Sequence, residues 1–364
     1  MSSKALKNKS ARDFHRKSQL KQNAKANFES SFVDYVTCEI NTETINPDDA
    51  WQCKPIVLDI EGVETEIRRD YLFDEYVIVS PGRGKRPYDT HKNRHPLIET
   101  ADSPRLDQEK EVFSLKHGPD WLVKVVENRF SSLTLKNPRA HGKQELVIDT
   151  PLSNTPFAKL SITQIERVLK VYQHRVSDLM ATEGITYVLV FRNDGFEAGA
   201  SLAHAHSQIY ALPVTPKRFM EHSKMIEDYF IDKKKEPIED IIRFERAQKA
   251  RVVAEDDSFL VICPYASQYP FEAWLIPKSH VVRFDEFSSH QIADAAHHLK
   301  YLTQKLTGAQ ISYNFFIENG ISPHYRCIIK LYGRSNIWGG FEVATGMVIN
   351  TVPPESAAKW YRSK

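Results

Sequence analysis

The cysteines of this 364-residue sequence are few and ungrouped. Cys38, Cys53, Cys263 and Cys327 are scattered and form no Cys-x-x-Cys pair. That excludes a dense disulfide framework and a metal site built on thiolates. Long apolar runs are also lacking: none approaches the roughly 20 residues of a membrane span, and the N-terminus has no signal-peptide core. Charge of one sign is missing too, since a formal net charge of +2 gives no overall pull toward nucleic acid or a membrane surface. What is present, a hydrophobic share of 41%, is enough to fill a globular core. A cytoplasmic enzyme or binding protein is the resulting expectation, with neither nucleic acid nor membrane as partner. One stretch departs from the average. Residues 1–30 are rich in Lys and Arg and poor in apolar residues. They read as a flexible, solvated tail, with a nucleic-acid arm or an organelle presequence as the alternatives.

The rest of the chain contains a repeat. "DEYVIVSPGRGKRPYDT", "PDWLVKVVENRFSSL" and "QELVIDTP" read as strands closed by turn residues. "SITQIERVLKVYQHRVSDLMATEG" has apolar residues at helical spacing, with Ser161 where an N-cap belongs and Gly184 beyond the end. "ITYVLVFRND" is a buried strand, followed by a glycine-rich turn and the strand "HAHSQIYALP". The same order returns in "EAWLIPK", "SSHQIADAAHHLKYLTQKLTG", "ISYNFFIENG" and "SPHYRCIIKLYG". Such self-similarity indicates internal duplication within one fold. The reading divides the chain into a tail (1–30), a first half (31–215), a charged helical connector taken as a solvated crossover (216–250) and a second half (251–364). The first half carries the His-x-His pair; at the place read as equivalent, the second half has only His324-Tyr325-Arg326.

On a strand, residues i, i+2 and i+4 share a face, which puts His204, His206 and Gln208 on one wall. Gly199-Ala200-Ser201, just before them, are small enough for backbone N–H groups to approach an anion. A histidine facing a phosphate can attack phosphorus and carry the group covalently. The same pair could equally be a surface pair or half of a metal site, with His91, His95, His117 and His141 as distant partners.

Further motifs, in order from about residue 66 to the C-terminus, carry a family resemblance. "EIRRDYLFDEYVIVSPGRGKRP", "VENRFSSL", "NDGFEAGASLAHAHSQIYALP", "YASQYPFEAWLIPKSH" and "GGFEVATGMVINTVPPESAAKWYR" resemble the galactose-1-phosphate uridylyltransferase family, the transferase branch of the histidine-triad superfamily. The resemblance implies an α+β fold: duplicated histidine-triad-like halves sharing one mainly antiparallel sheet, a half-barrel with helices packed on one side. It implies a nucleotidyltransferase moving a nucleoside monophosphate between a nucleotide sugar and a sugar 1-phosphate or phosphate. His206 matches the nucleophile and Gln208 the glutamine that hydrogen-bonds the transferring phosphate. Arg83, Arg86, Asn193 and Ser201 match phosphate-binding positions, Asn128 a nucleotide contact, and Glu342 a sugar contact. For Asn128 and Asn193 a turn-capping role competes. Family members are commonly homodimers that share active-site residues across the interface.

Departures from the pattern set further expectations. Many members hold a structural zinc with a Cys-x-x-Cys pair, a third ligand and the first histidine of the motif. Here "ETADSPRLDQEKEVF" has no cysteine, and Ser153 or Asn154 stands near the third position. No metal or other cofactor is expected, with His204 a neutral, hydrogen-bonded support for the wall. The second-half site also fails, with Arg326 in its His-x-His position although His280 persists. A lysine of the galactose enzymes is replaced near Asn336. Uridine and adenosine, galactose and other acceptors thus stay open, as does hydrolysis of the same intermediate or an inactive nucleotide-binding protein.

Overall fold

The structure is a computed structural model, and it describes residues 56–60, 63–81, 109–153, 155–200, 202, 204–335 and 338–363. The basic tail, Arg83, Arg86, Ser201, Asn154 and Asn336 lie outside the described residues.

Ten strands form one open sheet: β4 (Glu111–His117), β5 (Asp120–Glu127), β6 (Lys143–Ile148), β7 (Tyr187–Asp194), β8 (His206–Leu212), β9 (Val252–Glu255), β10 (Phe259–Ile262), β11 (Ala273–Pro277), β12 (Tyr313–Glu318) and β13 (Ile328–Gly333). Their spatial order is β4-β5-β6-β8-β7-β12-β13-β11-β10-β9, and every neighbouring pair is antiparallel. Read outward from the β7–β12 seam, the order on each side is the same. The duplication thus closes into a single sheet, with Phe191 opposite Phe316 at the seam.

Two long helices cover one face. Helix α1 (Ile162–Met180) begins where the Ser161 hydroxyl accepts from the Gln164 N–H. In helix α4 (Ser289–Gly308), Ser288 and Gln291 cap each other reciprocally. Ile165, Val168, Leu169, Tyr172 and Val176 of α1 fall at helical spacing and are buried. They share one core with Ile292, Ala295, Leu299 and Leu302 of α4 and with the helix-facing strand residues Val125, Val147, Val190, Ile209, Phe315, Ile329 and Leu331. Each large apolar side chain buried there contributes about 1.5–3 kcal/mol.

The stretch 216–250 forms α2 (Lys217–Lys233) and α3 (Pro237–Gln248). It is more than the solvated crossover its charge suggested: Phe219, His222, Ser223, Ile226, Ile238, Ile241, Ile242, Phe244 and Glu245 are buried. Composition misleads here because the apolar face is diluted by the lysines and glutamates of the outer face.

A second, smaller sheet has the order β1-β2-β3-β14, from Ile56–Ile60, Val63–Arg69, Tyr76–Val79 and Val348–Asn350. The strand in "DEYVIVSPG" is therefore not part of the histidine-bearing sheet. It pairs in parallel with β14, with Val77 opposite Val348 and Val79 opposite Asn350. Short helices α5 (Gly340–Thr345) and α6 (Pro354–Arg362) flank that last strand. No described helix is long and apolar enough to cross a membrane.

Candidate functional site

Strand β8 starts at His206, not His204, so only His206, Gln208, Tyr210 and Leu212 alternate onto the face away from the helices. His206 is opposite Ile148 and Gln208 opposite both Leu146 and Phe191. His204 sits in the bend before the strand, and its Nε2–H donates to the Thr150 carbonyl at 2.8 Å.

The orientation of His206 is fixed by a single bond. Its Nδ1 lies 2.8 Å from the His204 carbonyl oxygen. A carbonyl only accepts, so Nδ1 carries the proton, and in the neutral ring Nε2 carries the lone pair. Burial pushes the pKa of this imidazole below its ordinary 6.5, and the nearby Arg192 guanidinium adds to the effect. The ring is thus neutral at physiological pH. Together with His204, Asn193, Asp194, Gly195 and Ala200 it lines one cavity.

The loop between β7 and β8 shapes that cavity. Gly195 has φ +88° and ψ 160°, and a Cβ there would lie 2.2 Å from the Ser312 hydroxyl oxygen. Gly199, in the left-handed region at φ +83°, ends a single helical turn at Phe196–Ala198. The backbone N–H groups of Gly199 and Ala200 donate to Phe196 and Gly195 carbonyls at 2.9 and 3.1 Å. They are occupied within the turn and do not form the open anion cradle that the small residues suggested. Asn193 is held as well: its Oδ1 accepts from Asn314 Nδ2 at 2.8 Å, which links the second half of the chain to the cavity wall. Gly195→Ala would place a side chain in backbone space reserved for glycine, at a cost of about 1–3 kcal/mol. It is expected to lower the melting temperature and impair turnover together, as measured by thermal unfolding and initial rates.

The remaining candidates fall elsewhere. The Asn128 Oδ1 accepts from the Phe130 N–H at 2.9 Å, a turn-stabilising bond. Asn128 lines a separate cavity with Ser131, Leu133, Thr134, Lys143 and Gln144. Gln144 pairs with Tyr210, four strand residues from His206, or roughly 13 Å along the sheet. Glu342 is buried in α5, its carboxylate accepting from the Gly339 N–H at 2.9 Å, and it is not part of the wall around His206.

Several groups around the site were not read from the sequence. Arg192, which lines the same cavity, forms an ion pair with the buried Asp149, and on the helix side Ser207 shares a hydrogen bond with the Tyr172 hydroxyl. The available signal was an arginine directly after the apolar run of the strand "YVLVFRND".

The zinc implied by the family resemblance does not fit these residues. The region of the cysteine pair supplies no thiolate, so His204, whose Nε2–H bond to the Thr150 carbonyl leaves Nδ1 as a donor, stands without the sulfur ligands that site requires. In the second half, Arg326, 1% exposed, donates to the Pro277 carbonyl at 3.0 Å and pairs with Glu236, a carboxylate that also meets His280 Nδ1 at 2.8 Å.

Comparison with known proteins agrees with this architecture. Residues 123–216 match the galactose-1-phosphate uridyl transferase N-terminal domain, and residues 222–321 its C-terminal domain. An ADP-glucose phosphorylase from Arabidopsis thaliana is 30% identical over 335 residues, spanning 83% of this chain and 94% of that protein. A galactose-1-phosphate uridylyltransferase from Thermotoga maritima is 29% identical, spanning 82% and 98%. The crystal structure of an Arabidopsis thaliana ADP-glucose phosphorylase with bound ADP-glucose superimposes with a TM-score of 0.72 at 28% identity, covering 82% of this chain and 99% of that one.

Proposed function

This chain belongs to the galactose-1-phosphate uridyl transferase family, and on that premise we propose that it transfers a nucleoside monophosphate from a nucleotide sugar to a phosphate acceptor through His206. The observation that carries the covalent step is the Nδ1–H bond to the His204 carbonyl, which leaves the Nε2 lone pair as the nucleophile. In the first step Nε2 attacks the α-phosphorus. The Nε2–P bond forms, the bond to the sugar phosphate breaks, and its electron pair leaves on that oxygen. In the second step an acceptor phosphate oxygen attacks, the P–N bond breaks, and the electron pair returns to Nε2. Gln208, two residues on and on the same face, would donate its amide to the transferring phosphoryl oxygens. The nucleoside would extend along the sheet toward Asn128. Arg83, Arg86 and Ser201 would complete the phosphate contacts, guanidinium forks suiting that task. Glu342 would contact the sugar.

The acceptor is inorganic phosphate in this reading, and the donor ADP-glucose. What supports it is the likeness to an ADP-glucose phosphorylase over 83% of the chain and the replacement of the galactose enzymes' lysine near Asn336. Incubation with ADP-glucose or UDP-glucose, followed by intact-mass measurement, tests both points, because the adduct mass identifies the nucleotide. Discharge by phosphate, by galactose 1-phosphate or by water alone then separates phosphorolysis, uridylyl transfer and hydrolysis. A protein that takes up no nucleotidyl group from either donor would refute the proposal.

The pH dependence follows from the protonation state required of the nucleophile. Only neutral His206 can attack, and its pKa lies below 6.5. The rate of nucleotidylation is therefore expected to be flat above pH 6.5 and to fall tenfold per unit only below the depressed value. The same shift links to stability. The unfolded chain binds the proton more readily, so this residue's contribution is full above pH 6.5 and is lost as pH falls through the folded value. Single-turnover rates between pH 5 and 8 would check the acid limb (about the range over which an imidazole titrates).

A further inference from the structure

The cavity of the first half is braced from the second. At the seam of the large sheet, Asn193 of β7 lies directly opposite Asn314 of β12. On its other side, β7 pairs with β8 only as far as Phe191–Gln208. The same count would set Asn193 against His206, two residues further on, and both line the cavity. Phe315, Val190 and Ile209 belong to the helix-facing core, so alternation puts Asn314, Asn193 and His206 together on the other face.

The hydrogen bonds fix which way each amide faces. Asn314 Nδ2 lies 2.9 Å from the Ala198 carbonyl oxygen, and a carbonyl only accepts. The same nitrogen is 2.8 Å from the Asn193 amide, so the atom it meets there is the acceptor, Oδ1. That leaves the donor end of Asn193. Among the described residues its Nδ2 has one contact, to the Gly199 carbonyl at 3.5 Å, which is too long for a strong hydrogen bond. Turning the Asn193 amide over would set nitrogen against nitrogen at Asn314, donor facing donor. The scaffold itself does not demand this amide. Gln208 lies opposite Leu146 and Phe191, as Lys330 lies opposite Trp274 and Phe316, so the two halves correspond there. The count that carries Phe191 onto Phe316 and Gly195 onto Gly320 carries Leu189 onto Asn314. The seam thus has an amide on the histidine's side and a leucine on the other.

We infer that Asn314 is a positioning residue for nucleotidyl transfer: it holds the Asn193 carboxamide so that Nδ2, and not Oδ1, serves the phosphoryl group beside His206 as a hydrogen-bond donor. This rests on the covalent reading above. While Nε2 attacks, the non-bridging oxygens on phosphorus carry the negative charge, and a donor already aimed at them lowers the barrier without reorganising. An amide oxygen in the same place would repel them. Asn314 itself does not touch the substrate. It acts by excluding the wrong orientation of its neighbour, and its second bond, to Ala198, ties that neighbour to the turn at Phe196–Ala198.

The test uses the full chain, ADP-glucose and UDP-glucose as donors, rapid-quench intact-mass measurement of the adduct, and thermal unfolding. Asn193→Ala is expected to slow adduct formation by roughly 10²-fold, the effect of losing one donor to the transferring group. Asn314→Asp keeps the size but sets a carboxylate against the Asn193 and Ala198 oxygens, so Asn193 turns over to meet it. It is expected to slow adduct formation by roughly 10²-fold as well, with KM changed less than about threefold. Asn314→Ala, which leaves the neighbouring amide free to turn, is expected to slow it about tenfold. In an Asn193→Ala background neither Asn314 substitution should slow the reaction by more than a further factor of about two. A residue that merely stapled the turn would cost the same with Asn193 as without it. That result, or adduct formation by Asn314→Asp at the parent rate, would overturn the assignment while leaving the covalent step standing. So would loss of the folded state in both Asn314 variants. A parent protein that forms no adduct overturns the covalent step and, with it, the role of Asn314.

Discussion

Replacing His206 with asparagine is expected to reduce turnover by roughly 10⁴-fold or more, about 5 kcal/mol of transition-state stabilisation. The substitution is conservative in shape. Its side-chain amide can still donate to the His204 carbonyl that now receives Nδ1–H at 2.8 Å, so the strand and cavity keep their form. What is lost is the lone pair: an amide nitrogen is delocalised and does not attack phosphorus. Nucleotide binding should therefore change by less than about tenfold, and the melting temperature by a few degrees at most. The outcome is read from three measurements on one preparation: steady-state rate, adduct mass and calorimetric titration with nucleotide. Turnover surviving near the parent level, with no adduct, would show that the chemistry runs by direct displacement.

An opposite profile is expected from Lys330→Met. Lys330 and Glu318 form an ion pair at 2.8 Å, both side chains 3% exposed, with the Lys330 ammonium 4.5 Å over the Trp274 ring and the Tyr325 hydroxyl donating to Glu318 at 2.8 Å. Removing one partner leaves an uncompensated buried carboxylate, which costs about 3–5 kcal/mol. That corresponds to a fall in melting temperature of roughly 10 °C. The rate per folded molecule should be unaltered, because Lys330 occupies the second-half counterpart of Gln208 and lies away from the cavity. The pH dependence gives a second signature. Burial pushes the Glu318 pKa up, but Lys330 above all, with His222 and Arg218, reverses this and holds it below 4.5. In the parent, this contribution to stability is present above pH 4.5 and lost as pH falls through the folded value. Without Lys330 the carboxyl prefers its proton, so the gap between variant and parent should narrow in acid. Melting curves at several pH values would check it; a gap independent of pH would refute the account.

Much of the fold was legible in the sequence because the two signals used, apolar period and helix caps, are local. Ser161 and Ser288 mark helix starts, and the strands "YVLVFRND" and "YNFFIE" are found where their β-rich runs lie. Pairing partners were less legible. Nothing near "YVIV" announces that its neighbour is "VIN" some 270 residues on, since periodicity fixes a face and not a partner. Likewise, the wall of His206 and Gln208 follows from strand alternation, whereas the departure of His204 from that alternation depends on where pairing begins. The offset of the repeats is of the same kind. Matching letters aligned His204 with His324, but hydrogen-bonded register sets Gln208 against Lys330, and only the latter reveals Leu189 as the counterpart of Asn314.

The parallel pairing of β3 with β14 has a consequence for how the chain is made. A ribosome releases Val77 roughly 270 residues before the strand it must bond, Val348–Asn350. Until then the edge of β3 is bare and able to recruit foreign strands. Completion of the small sheet is thus a closing clasp, and a premature stop shortly before residue 348 would leave all ten strands of the large sheet encoded but the clasp permanently open.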